Sequence, residues 1–361
     1  MENKMVGAYD RAAELKAFDE MKTGTKGLVD AGITEIPRIF HNPLVAVENY
    51  KPPSEVRIPS IDFGGGVFES PVTRESVVAK VKNAAENYGF FQSINHGFPL
   101  DLMQRMREGV RSFHDQDPQV RKTFYTRDMN KRVKYFSNPD LFNSPAASWR
   151  DTFTCFMFPD VPNKQDLPEI CGEVMLEYSK EVMKFAELVF ELLSEALGLN
   201  HNHLKDIGCT KGLCMICHCY PPCPEPDRTL GAAQHTDRTF LTILLQDHIG
   251  GLQVLHDGYY FDSPVNPDAI IVNIGDLLQL ITNDKFISVE HRVLANGSNH
   301  PRIAVSCFFV HPPTDASVYG PIKELLSEDN PPKYKETPAG FFNHFVPRQL
   351  HCNNSLSHLR I

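Results

Sequence analysis

The stretch Gly231–Asp247, GAAQHTDRTFLTILLQD, sets an imidazole and a carboxylate two residues apart at the entrance to an apolar, β-branched run. In an extended chain, residues i and i+2 point to the same face, so His235 and Asp237 can converge on one point. Nitrogen plus carboxylate oxygen suits a borderline divalent metal, and two histidines with one carboxylate suit non-haem Fe(II). An H-x-D pair alone is a weak signal, since most such pairs are ordinary surface polar residues. The metal reading needs a second histidine from elsewhere in the chain.

Working outward, the β texture continues on both sides. From about residue 210, short β-type runs alternate with turn signals: GLCMICHCY, TFLTILLQD, GLQVLHDGYYFDSP, DAIIVNIGD and RIAVSCFFVHP. Such spacing indicates a sandwich, barrel or jelly roll. One short helix, 277–284, interrupts it.

The first half is helix-rich. Helices are expected at 8–32, 72–88, 99–115, 117–125 and 168–198, from apolar residues at helical spacing and closing glycines such as Gly89 and Gly198. Short strands are expected at IPSIDF, FFQSIN and WRDTFTCFMFP, with 126–148 as a long loop. The fold class is therefore mixed α and β. A helix-rich region (1–205) supports a β catalytic core (206–315), and a C-terminal tail (316–361) caps the site, all as one catalytic unit.

Net charge is −9, pI is near 5.9, and there is no long basic run. That balance argues against nucleic acid or an anionic membrane as the main partner. The N-terminus has no apolar signal core, and no stretch reaches the roughly 18 apolar residues of a membrane helix. A monomeric, cytoplasmic protein acting on a small molecule is the expectation. Nine cysteines, with no secretory signal, read as reduced thiols rather than a disulfide scaffold. Cys214, Cys217, Cys219 and Cys223 superficially offer a zinc cluster, but small hydrophobes in a core strand is the simpler reading.

Four histidines, His248, His256, His291 and His311, are candidates for the third metal ligand. His291 gives the spacing H-x-D-x53-H; a jelly roll brings its closing strands back beside the opening ones. Further on, alternation in RIAVSCFF puts Arg302, Ala304, Ser306 and Phe308 on one face. An arginine aimed into an apolar barrel is costly unless it meets an anion, and its planar fork suits a carboxylate. The same alternation puts Cys214, Ile216, His218 and Tyr220 on one face.

His235-x-Asp237, His291 and Arg302 in this order, with YPPCPEP (220–226), DKFISVEHRVLAN (284–296) and WRD (149–151), resemble the plant 2-oxoglutarate- and Fe(II)-dependent dioxygenases. The N-terminal run LKAFDEMKTGTKGLVDAGITEIPRIF looks most like the subgroup of aminocyclopropane-carboxylate oxidase homologues, and GFFQSINHG extends the match over nearly the whole chain.

The resemblance implies a double-stranded β-helix, or jelly-roll, core. It also implies that His235, Asp237 and His291 are the catalytic iron triad. Arg302 would bind the distal carboxylate of 2-oxoglutarate, with Tyr220 and His218 beside it, and Phe308 would line the substrate side. Ascorbate would serve as reductant and O2 as oxidant. The implied reaction is oxidation, most simply hydroxylation, of a small plant specialised metabolite with release of succinate and CO2; desaturation and dealkylation are variants. Two positions depart from the family pattern. Ala304 stands where an Arg-x-Ser motif has serine, and His218-Cys219-Tyr220 replaces Asn-Tyr-Tyr. Ala304 opens one alternative, an iron oxidase of the same fold that does not consume 2-oxoglutarate; a metal- or ligand-binding protein without turnover is a further one.

Overall fold

A computed structural model describes residues 9–43, 45, 57–65, 67, 70–312, 316–342 and 356–361. The Pro-rich passage at 49–56 and residues 343–355 of the expected C-terminal cap (316–361) lie outside the described residues.

The N-terminal region, expected as one helix, forms two: α1 (Arg11–Met21) and α2 (Gly24–Asp30). Lys22 turns left-handed at the break (φ 56°), and Gly24 follows at φ +67°. Asp10 caps α1 by accepting from the Ala13 amide. Strand β1 (Ser60–Asp62) leads to α3 (Pro71–Asn87), where Ser70 accepts from the Thr73 amide and Pro71 holds the first turn. Then come β2 (Phe90–Ile94), α4 (Leu100–Asp115) and α5 (Pro118–Lys122).

The expected loop at 126–148 contains a strand, β3 (Val133–Phe136), paired antiparallel with β4 (Asp151–Phe158). A four-residue strand inside a polar stretch is too short to register as periodicity; its neighbour supplies the pairing. Helix α6 (Gly172–Ala196) and the short α7 (His203–Asp206) complete the first half.

The second half runs β5 (Gly212–Tyr220), β6 (Leu230–His235), β7 (Leu241–Gln246), β8 (Leu252–His256), β9 (Tyr259–Asp262), β10 (Ile270–Ile274), α8 (Asp276–Ile281), β11 (His291–Leu294) and β12 (Arg302–Val310). Two sheets result. The larger has the order β1-β2-β10-β7-β12-β5-β4-β3, the smaller β6-β11-β8-β9. Only β1 and β2 run parallel in the larger sheet. Strands from before and after residue 205 thus share one sheet. Consecutive core strands alternate between the sheets in part (β5 to β6 to β7), as a jelly roll requires.

Period-two alternation decides which layer each residue joins. Leu213, Met215, Cys217 and Cys219 of β5, with Ile303, Val305, Cys307 and Phe309 of β12, face α3, α4 and α6 in the main core. Tyr220, Leu244, Ile271 and Ala304 face the other way, against Ala232, Leu252, Val254 and Val293 of the smaller sheet. Further along that inner face sit Cys214, Ile216, Phe308 and Val310. Burial of this kind contributes about 25 cal/mol per Å² of apolar surface. The four clustered cysteines do not converge: Cys214 faces inward, Cys217 and Cys219 outward, and Cys223 packs beside Trp149 in a third cluster.

The motifs at the two ends of this core touch. Trp149 Nε1 donates to the Pro221 carbonyl at 3.2 Å. Asp151 accepts from the Thr25 and Lys26 amides at 2.7 and 2.8 Å, so one buried carboxylate ties α2 to the sheet. Asn296 donates to the Tyr220 carbonyl at 2.9 Å and to that of His300 at 2.7 Å. It thereby fixes the chain just after β5 to the turn that leads into β12.

Candidate metal centre

Strands β6 and β11 are neighbours, and His235 stands directly opposite His291 in their register. This is how residues far apart in sequence come to share a site: their rings lie 4.3 Å apart between centroids. His235 Nδ1 is 2.7 Å from the Ala233 carbonyl and His291 Nδ1 is 3.1 Å from that of Val289. A ring nitrogen facing a carbonyl carries the proton, which leaves each Nε2 lone pair for a metal.

Asp237, two residues beyond the strand end, brings its carboxylate to the same point. Its Oδ1 lies 3.7 Å from Nε2 of His235 and 3.7 Å from Nε2 of His291. The three ligand atoms fall within 4.8 Å of one another, and among the described residues this is the group able to hold a metal ion. Of the other sequence candidates, His256 stacks on Tyr88 and His311 Nδ1 meets the Pro312 carbonyl; neither joins this group, nor does His248.

The carboxylate is held from behind. Thr242 Oγ1 donates to Asp237 Oδ2 at 2.7 Å and Asn273 Nδ2 donates to the same oxygen at 2.9 Å. These residues stand opposite each other on β7 and β10. Oδ1 remains buried with no hydrogen-bond partner. Burial alone would push this carboxyl up, but without a metal the positive charge of protonated His291 and His235, with the two hydrogen bonds, outweighs it and holds it well below the ordinary carboxylate value; a bound cation takes over that role from the protons. An ionised, fully buried oxygen without a donor, facing two imidazole lone pairs, fits a divalent cation.

Arg302 opens β12 on the inner face and is 2% exposed. Its guanidinium packs 4.8 Å over the Tyr220 ring, which sits opposite it in the register. Nη2 donates to Gln246 Oε1 at 3.1 Å, while Nε and Nη1 are buried without partners. Orphaned guanidinium donors in an apolar interior fit an anion with paired oxygens, as a carboxylate has.

Ala304 sits between His218 of β5 and Gln246 of β7. His218 Nδ1 is 3.2 Å from Thr152 Oγ1 on β4. Phe308 lies farther along the inner face, in register with Thr242 on one side and Cys214 on the other. Thr242, Asn273 and Gln246 escape the motif reading. Alternation through Leu244 places Thr242 and Gln246 on the inner face, but only the fold shows that they meet Asp237 and Arg302.

A jelly-roll pair of sheets carrying two histidines, a carboxylate and an inward arginine defines a non-haem iron oxygenase class of site. The chain belongs to the 2OG-Fe(II) oxygenase superfamily: residues 211–311 match it, and residues 58–171 match the family described as non-haem dioxygenase in morphine synthesis N-terminal. It is a 2-oxoglutarate-dependent dioxygenase by that membership. It is 69% identical over 360 residues, 99% of this chain and 100% of the relative, to a probable 2-oxoacid dependent dioxygenase of Arabidopsis thaliana. It is 56% identical to 1-aminocyclopropane-1-carboxylate oxidase homolog 3 of the same plant, covering 98% of each chain. Among solved structures it resembles JOX2 in complex with 2OG, Fe and JA, with a TM-score of 0.81, 27% identity and coverage of 94% of this chain and 97% of that one. The rice dioxygenase for auxin oxidation shares the fold, with a TM-score of 0.68 at 23% identity over 84% of this chain and 100% of that one. Among the described residues, no helix is long and apolar enough to cross a membrane.

Proposed function

We propose that the chain oxidises a small plant metabolite, most simply by hydroxylation, with iron held by His235, Asp237 and His291 and 2-oxoglutarate anchored at Arg302. The observation that carries this is the unpartnered, buried Oδ1 of Asp237 facing two imidazole Nε2 atoms, together with the orphaned, buried Arg302 donors on the inner face of β12. Bound iron supplies a redox-active Lewis acid at which the keto acid and O2 react, with succinate and CO2 as products and ascorbate keeping the metal reduced.

The chain's own residues orient and shield. Arg302, over Tyr220, fixes the distal carboxylate, and His218 lines the next position beside Ala304. Phe308, with Cys214, Ile216 and Phe156, presents an apolar wall on the substrate side and keeps water from the target carbon. An apolar substrate body is the match for that wall. The triad and Arg302 all come from one chain, so the proposed site needs no residue from a second copy.

Incubating the protein with Fe(II), ascorbate, labelled 2-oxoglutarate and a panel of plant metabolites tests this. Stoichiometric succinate, labelled CO2 and oxidised product are expected, and His235→Ala and Asp237→Ala should lose both iron and turnover. Retained iron and near-native turnover in both variants would remove the triad assignment. Ala304 is the observation that favours a second reading, oxidation without consumption of 2-oxoglutarate; product formed without succinate would establish it.

A further inference from the structure

Gln246 is the hydrogen-bond partner of the Arg302 guanidinium among the described residues, at 3.1 Å from Nη2. It is 1% exposed, on the inner face of β7, directly opposite Ala304. Its amide has one acceptor end and one donor end. The donor end, Nε2, points at the Pro264 carbonyl, 3.4 Å away, on the loop after β9. Gln92 of β2 donates to that same carbonyl, also at 3.4 Å. The carbonyl therefore attracts two amide donors, and this sets which way Gln246 turns. With its nitrogen committed to Pro264, its oxygen is the end left for Arg302.

The chemistry of this partner matters more than its presence. A buried arginine is ordinarily matched by a carboxylate, which cancels its charge. Here the match is a neutral amide, which orients the guanidinium without neutralising it. Nε and Nη1 stay unpartnered, and the full positive charge remains for an incoming anion. Ala304, opposite Gln246, offers no hydroxyl to share the task.

We propose that Gln246 is a positioning residue for cosubstrate binding: it aims Arg302 and, being uncharged, keeps that arginine available to a dicarboxylate. This rests on the reading of Arg302 as the cosubstrate anchor. The residue never touches the reacting atoms; it acts through Arg302.

Charge, rather than packing, provides the test. Gln246→Glu is nearly isosteric and gives Arg302 a buried partner of opposite sign, so the protein should remain folded. The carboxylate then competes with 2-oxoglutarate for the same guanidinium. Anaerobic titration of the Fe(II)-loaded protein with 2-oxoglutarate, followed by the visible charge-transfer band of the chelate, reads binding without turnover. We expect the dissociation constant to rise by roughly a hundredfold or more in Gln246→Glu and by about tenfold in Gln246→Leu, which loses only the orienting bond. Iron affinity should be unchanged in both. In turnover the loss should fall on the 2-oxoglutarate KM, with kcat largely retained at saturation.

A purely structural role predicts instead that both variants lose thermal stability and that Gln246→Glu binds no worse than Gln246→Leu; that outcome overturns the proposal. So does native binding in Gln246→Glu while Arg302→Leu fails to bind. If Gln246→Glu does not fold, native binding in Gln246→Leu is the overturning result. Native binding in Arg302→Leu would instead remove the anchor assignment on which the proposal stands.

Discussion

Thr242 Oγ1 donates a 2.7 Å hydrogen bond to Oδ2 of Asp237, which leaves Oδ1 of the same carboxylate as the oxygen facing the two imidazoles. Under the proposed iron site, metal affinity would therefore depend on β7, a strand that supplies none of the three ligands. Thr242→Val keeps the side-chain shape and removes that bond, while Asn273 still holds Oδ2 at 2.9 Å. Loss of an outer partner of a metal ligand typically costs ten- to a hundredfold in affinity, and with one partner left we expect about tenfold. Competitive titration with a chelator measures it. Native iron affinity in Thr242→Val would show that the bond does not orient the ligand.

Ala304 is buried on the inner face, between His218 and Gln246 and in one cluster with Tyr220. A hydroxyl there can donate to a carboxylate held by Arg302. A hydrogen bond to a charged group is worth about 1.5–3 kcal/mol, and part of that is spent stripping the serine of water. Ala304→Ser should lower the 2-oxoglutarate KM by about tenfold and leave iron affinity alone. An unchanged or higher KM would mean that the carboxylate is already satisfied by other donors.

Gly24 opens α2 at φ +67°, and a Cβ built there would lie 2.2 Å from Oδ1 of Asp151. That carboxylate cannot retreat, because it accepts from the Thr25 and Lys26 amides. Gly24→Ala therefore combines left-handed backbone strain with a clash against a buried, hydrogen-bonded group. The expected loss is about 2–4 kcal/mol, read as a fall in urea midpoint. Iron affinity of the folded fraction should be native, because α2 lies on the far side of β4 from the metal.

The sequence was most informative where chemistry and periodicity coincide. His235, Asp237 and His291 stand out by their residue types and spacing, Arg302 as a charge at the start of an apolar, period-two run, and the resemblance orders them. Inward and outward faces of β5 and β12 follow from alternation alone. What escaped was whatever depends on partners distant in sequence. Strand β3 exists because β4 is beside it, and the break between α1 and α2 is set by Asp151, more than 120 residues away. The hold on Asp237 by Thr242 and Asn273, and on Arg302 by Gln246, joins residues on different strands. No local pattern in the chain distinguishes such a glutamine or threonine from an ordinary one.

His114, at the C-terminal end of α4, is buried against the rings of Phe113 and Tyr135. Burial, with the charges of Arg121 and Lys26 nearby, pushes its imidazole down to about 3 from 6.5. The folded protein thus excludes a proton that the unfolded chain accepts below pH 6.5. The stability tied to this neutral ring is fully present above that pH and declines as pH falls from 6.5 toward 3. His114→Leu keeps an apolar side chain there and has nothing to protonate. Its urea-unfolding free energy should therefore fall less steeply than that of the native protein between pH 6.5 and 4.5. Equal slopes over that range would show that His114 is not protonated preferentially in the unfolded state.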